Sequence, residues 1–275
     1  MIDNKIAFIG GGNMASAIAG GLLRGGMHAT NIFISEPKEE QCEKLREEFY
    51  GTYVSTDNKT VSNAAEVILF AVKPQILKSV CNELRETIQK TKPLIISIAA
   101  GPSIQDIDQW LGGDMTIVRV MPNQPAMIDQ GVSAMFANSL TQPENCLLAE
   151  KIMSSVGKAL WLEKESQMDA VTAISGTGPA YFYLLIDVMI EAAIKNGMNP
   201  EIARILAVET ARGASALSAS SPETMTSMIE RVRSPGGTTM AALEYLDSKD
   251  ARKIFSKAID VARERAKELA EEAKQ

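Results

Sequence analysis

Two short stretches near opposite ends of the chain carry the residue types and spacings from which a chemical site could be built. The first, Gly10-Gly11-Gly12-Asn13-Met14-Ala15, fits the pattern G-x-G-x-x-A. Gly10 suits a tight turn, and Gly12 lets the backbone approach a pyrophosphate. Ala15 keeps the next helix close to a sheet while that helix turns its first amides toward the anion. The pattern therefore predicts a dinucleotide site. The second stretch is Ser234-Pro235-Gly236-Gly237-Thr238-Thr239. Here Ser234 is placed as an N-cap and Pro235 as a first helical residue, and the two glycines leave amides uncovered. The expectation is a pocket for an anion such as a carboxylate. A third run, Ser175-Gly176-Thr177-Gly178-Pro179, also opens a helix with small residues, which suits either contact with a ligand or tight packing.

These residues need elements to position them. Lys5-Ile6-Ala7-Phe8-Ile9 reads as a strand, and Met14, Ile18 and Leu22 behind the glycines recur at helical spacing. The alternation continues through strands at 31–35, 67–72, 94–98 and 117–120 and helices near 39–49, 75–88 and 103–110, so the fold class is α/β with a doubly wound, mostly parallel sheet. After Lys158–Leu162 the character changes. Helices are expected over 180–196, 200–219, 222–232, 237–246 and 250–274, with no further strand. The reading is two domains, 1–163 binding NAD(P) and 164–275 all-helical. The apolar surface of the second predicts a dimer interface, with a self-contained helical bundle as the alternative.

The second strand ends near Ser35-Glu36, where an acid commonly bonds the ribose hydroxyls and disfavours a 2′-phosphate. That favours NADH. Pro37 and Lys38 allow the opposite arrangement, in which Ser35 and Lys38 hold a 2′-phosphate and Glu36 points to solvent. NADP(H) and NAD(H) both stay open. At Ala71-Val72-Lys73-Pro74 another strand ends in a lysine, beside the expected place of the nicotinamide.

Composition narrows the partners. With 275 residues, 45% of them hydrophobic, the chain can bury a sizeable core. Its formal net charge is −6, with Lys and Arg scattered among acids, so no nucleic acid is expected. Only strand-length apolar runs such as Val67–Val72 and Leu94–Ala100 stand out, so no membrane span is expected either. Met1–Lys5 leads directly into a strand without an export signal, which predicts a cytoplasmic protein. Cys42, Cys81 and Cys146 are too dispersed for disulfides or a metal site. His28, the single histidine, falls in a Gly-Gly-Met-His turn. Catalysis must then proceed without imidazole.

Taken with Ser97-Ile98-Ala99-Ala100-Gly101, Met121-Pro122-Asn123-Gln124-Pro125-Ala126 and Ser175 to Phe182, these motifs resemble the pyrroline-5-carboxylate reductases of proline biosynthesis from end to end. The most specific piece is Ser234 to Thr239 followed by Ala242-Leu243 and Asp247. The resemblance implies a Rossmann-type N-terminal domain, a helical C-terminal domain that dimerises, often into a ring of dimers, and NAD(P)H-dependent reduction of L-1-pyrroline-5-carboxylate to L-proline. It further implies cofactor contacts at Gly10, Gly12, Asn13, Met14, Ser35, Asn58, Ala71, Lys73 and Pro74. Substrate contacts are implied at Ser234, Gly237, Thr238 and Thr239. Two positions depart from the family pattern: Gln124 replaces the usual threonine, and Arg233 precedes the signature serine where a small residue is usual.

The chemistry suits the residues. A cyclic imino acid offers a carboxylate and a C=N bond, and its nitrogen arrives protonated, so the site needs an anchor and a polar contact rather than a strong acid. Thr239, expected one turn into its helix, is the candidate catalytic group at the ring nitrogen. A rival dehydrogenase acting on hydroxy acids would use a catalytic histidine or lysine. Lys195, the best-placed lysine, reads instead as a helix C-terminus. A dinucleotide sensor without turnover is the other alternative.

Overall fold

The computed structural model describes residues 2–274; Met1 and Gln275, the outer bounds of the two expected domains, lie outside the described residues. Among those residues the strands are β1 (Ile6–Ile9), β2 (Ile32–Ser35), β3 (Tyr53–Ser55), β4 (Val67–Phe70), β5 (Leu94–Ser97), β6 (Ile117–Met121), β7 (Gly131–Ala137) and β8 (Gly157–Trp161). They form one sheet in the order β3-β2-β1-β4-β5-β6-β7-β8. Every neighbouring pair is parallel except β6 with β7. The order from β3 to β6 is the doubly wound dinucleotide-binding order, with its switch point between β1 and β4.

Burial explains why these runs become strands. Ile6–Ile9, Val67–Phe70 and Leu94–Ser97 are buried at every position, as parallel strands covered on both faces must be. Ile6 and Phe8 join one core with α1 (Asn13–Arg24) and α6 (Pro143–Ser154). Ala7 and Ile9 join another with α3 (Asn58–Asn63), α4 (Pro74–Thr91) and α5 (Ile104–Leu111). On the second face Cys81 lies within the apolar core, where burial pushes its thiol pKa up to about 12. It is an inert side chain at neutral pH. The remaining helix of the β-sheet half, α2 (Glu39–Glu48), packs on the first face through Cys42 and Leu45.

After β8 come α7 (Met168–Val171), a π-helical turn at Thr172–Gly176, α8 (Gly178–Lys195), α9 (Pro200–Ser220), α10 (Met225–Val232), α11 (Thr238–Ser248) and α12 (Ala251–Glu272). The chain divides into two compact units. One holds residues 2–176 with Ala262–Lys274, and the other Thr177–Val261. The last strand ends at Trp161, short of the expected division at 163/164. The first unit nevertheless keeps the π turn and also takes the last turns of α12.

The second unit has little core of its own. On α8 and α9 the buried residues are Gly178, Ala203 and Ala207, while Phe182, Leu184, Ile202 and Ile205 are each more than half exposed. A self-contained bundle would cover those side chains. The helical stretch Glu165–Lys195 is also long and apolar enough, by length and composition alone, to cross a membrane, contrary to the expectation that no run is. Little of it is buried within the chain.

Candidate active site

The candidate dinucleotide site lies in the β-sheet unit, around the turn from β1 into α1. Gly10 has φ +103, and a Cβ there would stand 2.9 Å from the Ala71 carbonyl oxygen in the turn after β4. The glycine is thus required by backbone conformation and by close approach at once. Gly12 is different. It caps α1 at an ordinary φ of −79 and has nothing within 4 Å of where its Cβ would be. Its side chain cannot cap the helix, so the first amides of α1, at Asn13 and Met14, are left without a side-chain partner at the positive end of the helix dipole. A cradle with backbone donors and no side chain in it fits a pyrophosphate.

At the end of β2, Ser35 is buried, and its hydroxyl donates to Asn58 Oδ1 at 2.7 Å. Asn58 in turn donates through Nδ2 to Glu83 at 3.2 Å. Ser35 therefore orients Asn58 and does not itself reach solvent. Glu36 Oε2 accepts the Gly11 N–H at 3.2 Å and Oε1 accepts the Lys38 N–H at 3.3 Å. The carboxylate is folded onto the glycine loop and is not turned to solvent. Lys38 is exposed at the start of α2. Across the switch point, Ala71 donates its N–H to the Ile9 carbonyl at 2.8 Å, Lys73 is the exposed N-cap of α4, and Pro74 is that helix's first residue.

The expected loops after β6 and before α8 also meet. Asn123 Nδ2 donates to the Ser175 carbonyl at 3.2 Å and Asn123 Oδ1 accepts the Val132 N–H at 2.9 Å. A Cβ on Gly176 would come within 2.5 Å of Met121 Cε. Of the two readings of the small residues at 175–179, tight packing accounts for Gly176. Gln124 begins the 3₁₀ turn Gln124–Ile128.

The Ser234–Thr239 turn lies in the helical unit and corrects one expectation. Ser234 is not the N-cap of a helix: Gly237 is, and α11 starts at Thr238. Ser234-Pro235-Gly236-Gly237 form a turn closed by the Gly237 N–H on the Ser234 carbonyl at 2.9 Å, with Gly236 at φ +69. Proline second and glycine third are the residues that a type II turn demands, and this preference overrides the Ser-Pro helix start. Thr239 is consequently the second helical residue and not one turn in. The outcome for chemistry is the same device as at α1: a glycine N-cap without a side-chain bond, and uncovered amides at Thr238, Thr239 and Met240. The hydroxyls of Ser234, Thr238 and Thr239 have no hydrogen-bond partner among the described residues. Arg233 ends α10, bonding Glu230 at 2.9 Å and Asp247 of α11 at 3.5 Å.

Comparison with known proteins decides the family. Residues 165–269 match the family model for pyrroline-5-carboxylate reductase dimerisation, and residues 5–101 match one described as NADP oxidoreductase, coenzyme F420-dependent. The pyrroline-5-carboxylate reductase of Pseudomonas aeruginosa is 41% identical over 272 residues, covering 99% of both chains. The chain belongs to the pyrroline-5-carboxylate reductase family. The Vibrio alginolyticus reductase is 38% identical over 98% of both chains. Among solved structures, that of the Coxiella burnetii reductase superposes with a TM-score of 0.91 at 37% identity, covering 98% of this chain and 99% of that one. The Plasmodium falciparum reductase, solved with NADP bound, gives 0.87 at 29% identity over 98% and 99%.

Within that family the fold of this chain is the Rossmann-type sheet followed by helices that its motifs imply. The single histidine is remote from the α1 turn. His28 is exposed beyond the C-terminus of α1, roughly 18 Å of helix from Gly12. One prediction concerns Glu36, which stands at the end of β2, where an acid commonly disfavours a 2′-phosphate. Glu36→Ser is expected to raise the NADPH-to-NADH ratio of kcat/KM by about tenfold or more. Steady-state assays with both cofactors check it, and an unchanged ratio would mean that Glu36 only braces the glycine loop.

Proposed function

We infer that this chain reduces L-1-pyrroline-5-carboxylate to L-proline with NADH or NADPH, the last step of proline biosynthesis. The observation that carries the reading is the α11 turn, which presents three uncovered amides and three hydroxyls without a partner among the described residues, in a chain whose α1 turn also has a glycine N-cap. Two anions are thus provided for, one a pyrophosphate and the other a carboxylate.

In this reading Gly10, Gly12, Asn13 and Met14 hold the pyrophosphate, Glu36 and Lys38 meet the adenosine ribose, with Ser35 setting Asn58 beside them, and Ala71, Lys73 and Pro74 line the nicotinamide side. The bound cofactor supplies the hydride for the imine carbon. Ser234, Gly237 and Thr238 hold the substrate carboxylate at the head of α11. Thr239 makes a hydrogen bond to the ring nitrogen. Because that nitrogen arrives protonated, the residues need only orient it.

Residues 1–163 then serve as the NAD(P)-binding domain and 164–275 as the substrate-binding and dimerisation domain. The exposed apolar side chains of α8 and α9 support a homodimer in which a second copy covers them. In the larger assembly that the resemblance implies, dimers close into a ring. The same burial accounts for the apolar stretch 165–195 without a membrane, and the site of action is the cytoplasm.

The test is oxidation of reduced cofactor with L-1-pyrroline-5-carboxylate set against 2-hydroxy acids run in the oxidative direction. Turnover with the imino acid alone is expected. Turnover with a hydroxy acid overturns the reading, and cofactor binding with no turnover on any substrate would make the chain a sensor.

A further inference from the structure

Arg119 is the only charged residue buried among the described residues. It lies at the centre of β6, paired with Ser97 on β5 and Phe136 on β7. Its guanidinium reaches two acceptors. Nη2 donates to the Gly101 carbonyl at 3.0 Å, and Nη1 donates to Glu165 Oε1 at 2.9 Å. The same Glu165 oxygen accepts the Ile104 N–H at 2.8 Å, at the first residue of α5. The middle of the loop from β5 to α5 and the first residue of α5 are therefore tied to one ion pair.

A second contact holds the loop from another side. Gly101 has φ +106, and a Cβ there would lie 3.2 Å from Cα and 3.3 Å from N of Ala270, in the last turns of α12. Those turns are themselves fastened, since Lys78 Nζ on α4 donates to the Lys274 carbonyl at 2.6 Å. Gly101 is thus clasped between a buried guanidinium and a helix backbone.

A buried ion pair is a poor device for stability, because desolvating two charges costs about what their attraction returns and apolar replacements are often neutral or better. A rigid fork that holds two acceptors at fixed spacing is a good device for placing backbone. The backbone placed here follows β5, on the β4 side of the switch point. In a doubly wound sheet the half of the crevice beyond β4 takes the nicotinamide, while β1 to β3 take the adenosine.

We propose that Arg119, braced by Glu165 and opposed by the end of α12 across Gly101, is a positioning residue that fixes the β5–α5 loop and through it the nicotinamide end of the cofactor. The proposal rests on the reductase reading for what the loop does. It touches neither hydride nor proton transfer directly.

The test compares Arg119→Lys with the parent chain, using reduced cofactor and ADP-ribose or its 2′-phosphate, which lack nicotinamide. A lysine keeps the charge opposite Glu165 but not the fork. A shift of the loop by about an ångström is expected to lower kcat on the imino acid roughly ten- to a hundredfold, while the affinity for ADP-ribose stays within about twofold. The ratio of the two dissociation constants, ADP-ribose over reduced cofactor, falls with it. Gly101→Ala disturbs the same loop from the α12 side and is expected to reproduce the pattern. Glu165→Gln keeps both acceptor contacts and is expected to give a smaller loss in a folded protein, so a poorly folding Arg119→Lys leaves the question answerable. A lowered Tm with kcat per folded molecule and the affinity ratio both unchanged would overturn the proposal, as would equal weakening of ADP-ribose and reduced cofactor. If the parent chain fails to turn over the imino acid, the reductase reading fails, and the affinity ratio still decides the role of Arg119.

Discussion

Gly12→Ala is expected to remove tight cofactor binding and leave the thermal stability of the chain nearly unchanged. Gly12 has φ −79 and ψ −179, which alanine adopts without strain, and its added methyl would meet no protein atom within 4 Å. Alanine is a somewhat poorer N-cap than glycine, but it restricts the unfolded chain; the two effects are each below about 1 kcal/mol and opposite in sign. The methyl instead fills the space in front of the Asn13 and Met14 amides. Displacing two charge-assisted hydrogen bonds of roughly 1.5 kcal/mol each weakens binding by about 10²-fold. Gly10→Ala is the contrast, since its Cβ would press on the Ala71 carbonyl at a φ of +103. That variant is expected to lose stability and affinity together. Calorimetry gives Tm and a fluorescence titration gives Kd. If Gly12→Ala binds reduced cofactor within about threefold of the parent, a difference of only ~0.7 kcal/mol, the α1 turn is not where the pyrophosphate sits.

That contrast also shows what was legible in the sequence. Continuous apolar runs such as Ile6–Ile9 and Val67–Phe70 announce strands covered on both faces, and glycines behind the first of them announce the dinucleotide turn. The elements that escaped are those with weak patterns. β3 is three residues long, β7 mixes small and polar residues with apolar ones in Gly131–Ala137, and α6 has only a faint apolar stripe. The start of α11 was ambiguous for another reason. Ser-Pro-Gly-Gly satisfies both a helix start and a type II turn, and only the positive φ at Gly236 separates them.

The contacts that organise the site lie further from sequence than its motifs do. Arg119 is visible as a lone charge in an apolar strand, yet its partner Glu165 follows β8, and nothing local connects the two. Ser35 likewise looked like a ligand contact by its place at the end of β2. That its hydroxyl also bonds Asn58 is set by the packing of α3 against the sheet, which no local pattern announces.

The largest catalytic effect is expected at Thr239. Its hydroxyl has no hydrogen-bond partner among the described residues, and valine keeps the side chain's shape in the first turn of α11, so Thr239→Val is expected to change stability by no more than about 0.5 kcal/mol. Any loss of activity then belongs to the substrate. Removing one well-placed polar partner in a desolvated site costs on the order of 2 to 4 kcal/mol, about 10²- to 10³-fold in rate. Most of that loss is expected in kcat, because the bond to nitrogen strengthens as the imine becomes an amine. Thr239→Ser restores the hydroxyl and is expected to recover most of the rate. Ser234→Ala supplies the opposite signature: a carboxylate contact made equally in ground and transition states raises KM and spares kcat. Steady-state kinetics on the three variants separate these roles. A Thr239→Val chain that keeps kcat within about threefold, well under the roughly 1.4 kcal/mol of one tenfold step, would reduce Thr239 to shaping the head of the helix, with the uncovered amides alone orienting the substrate.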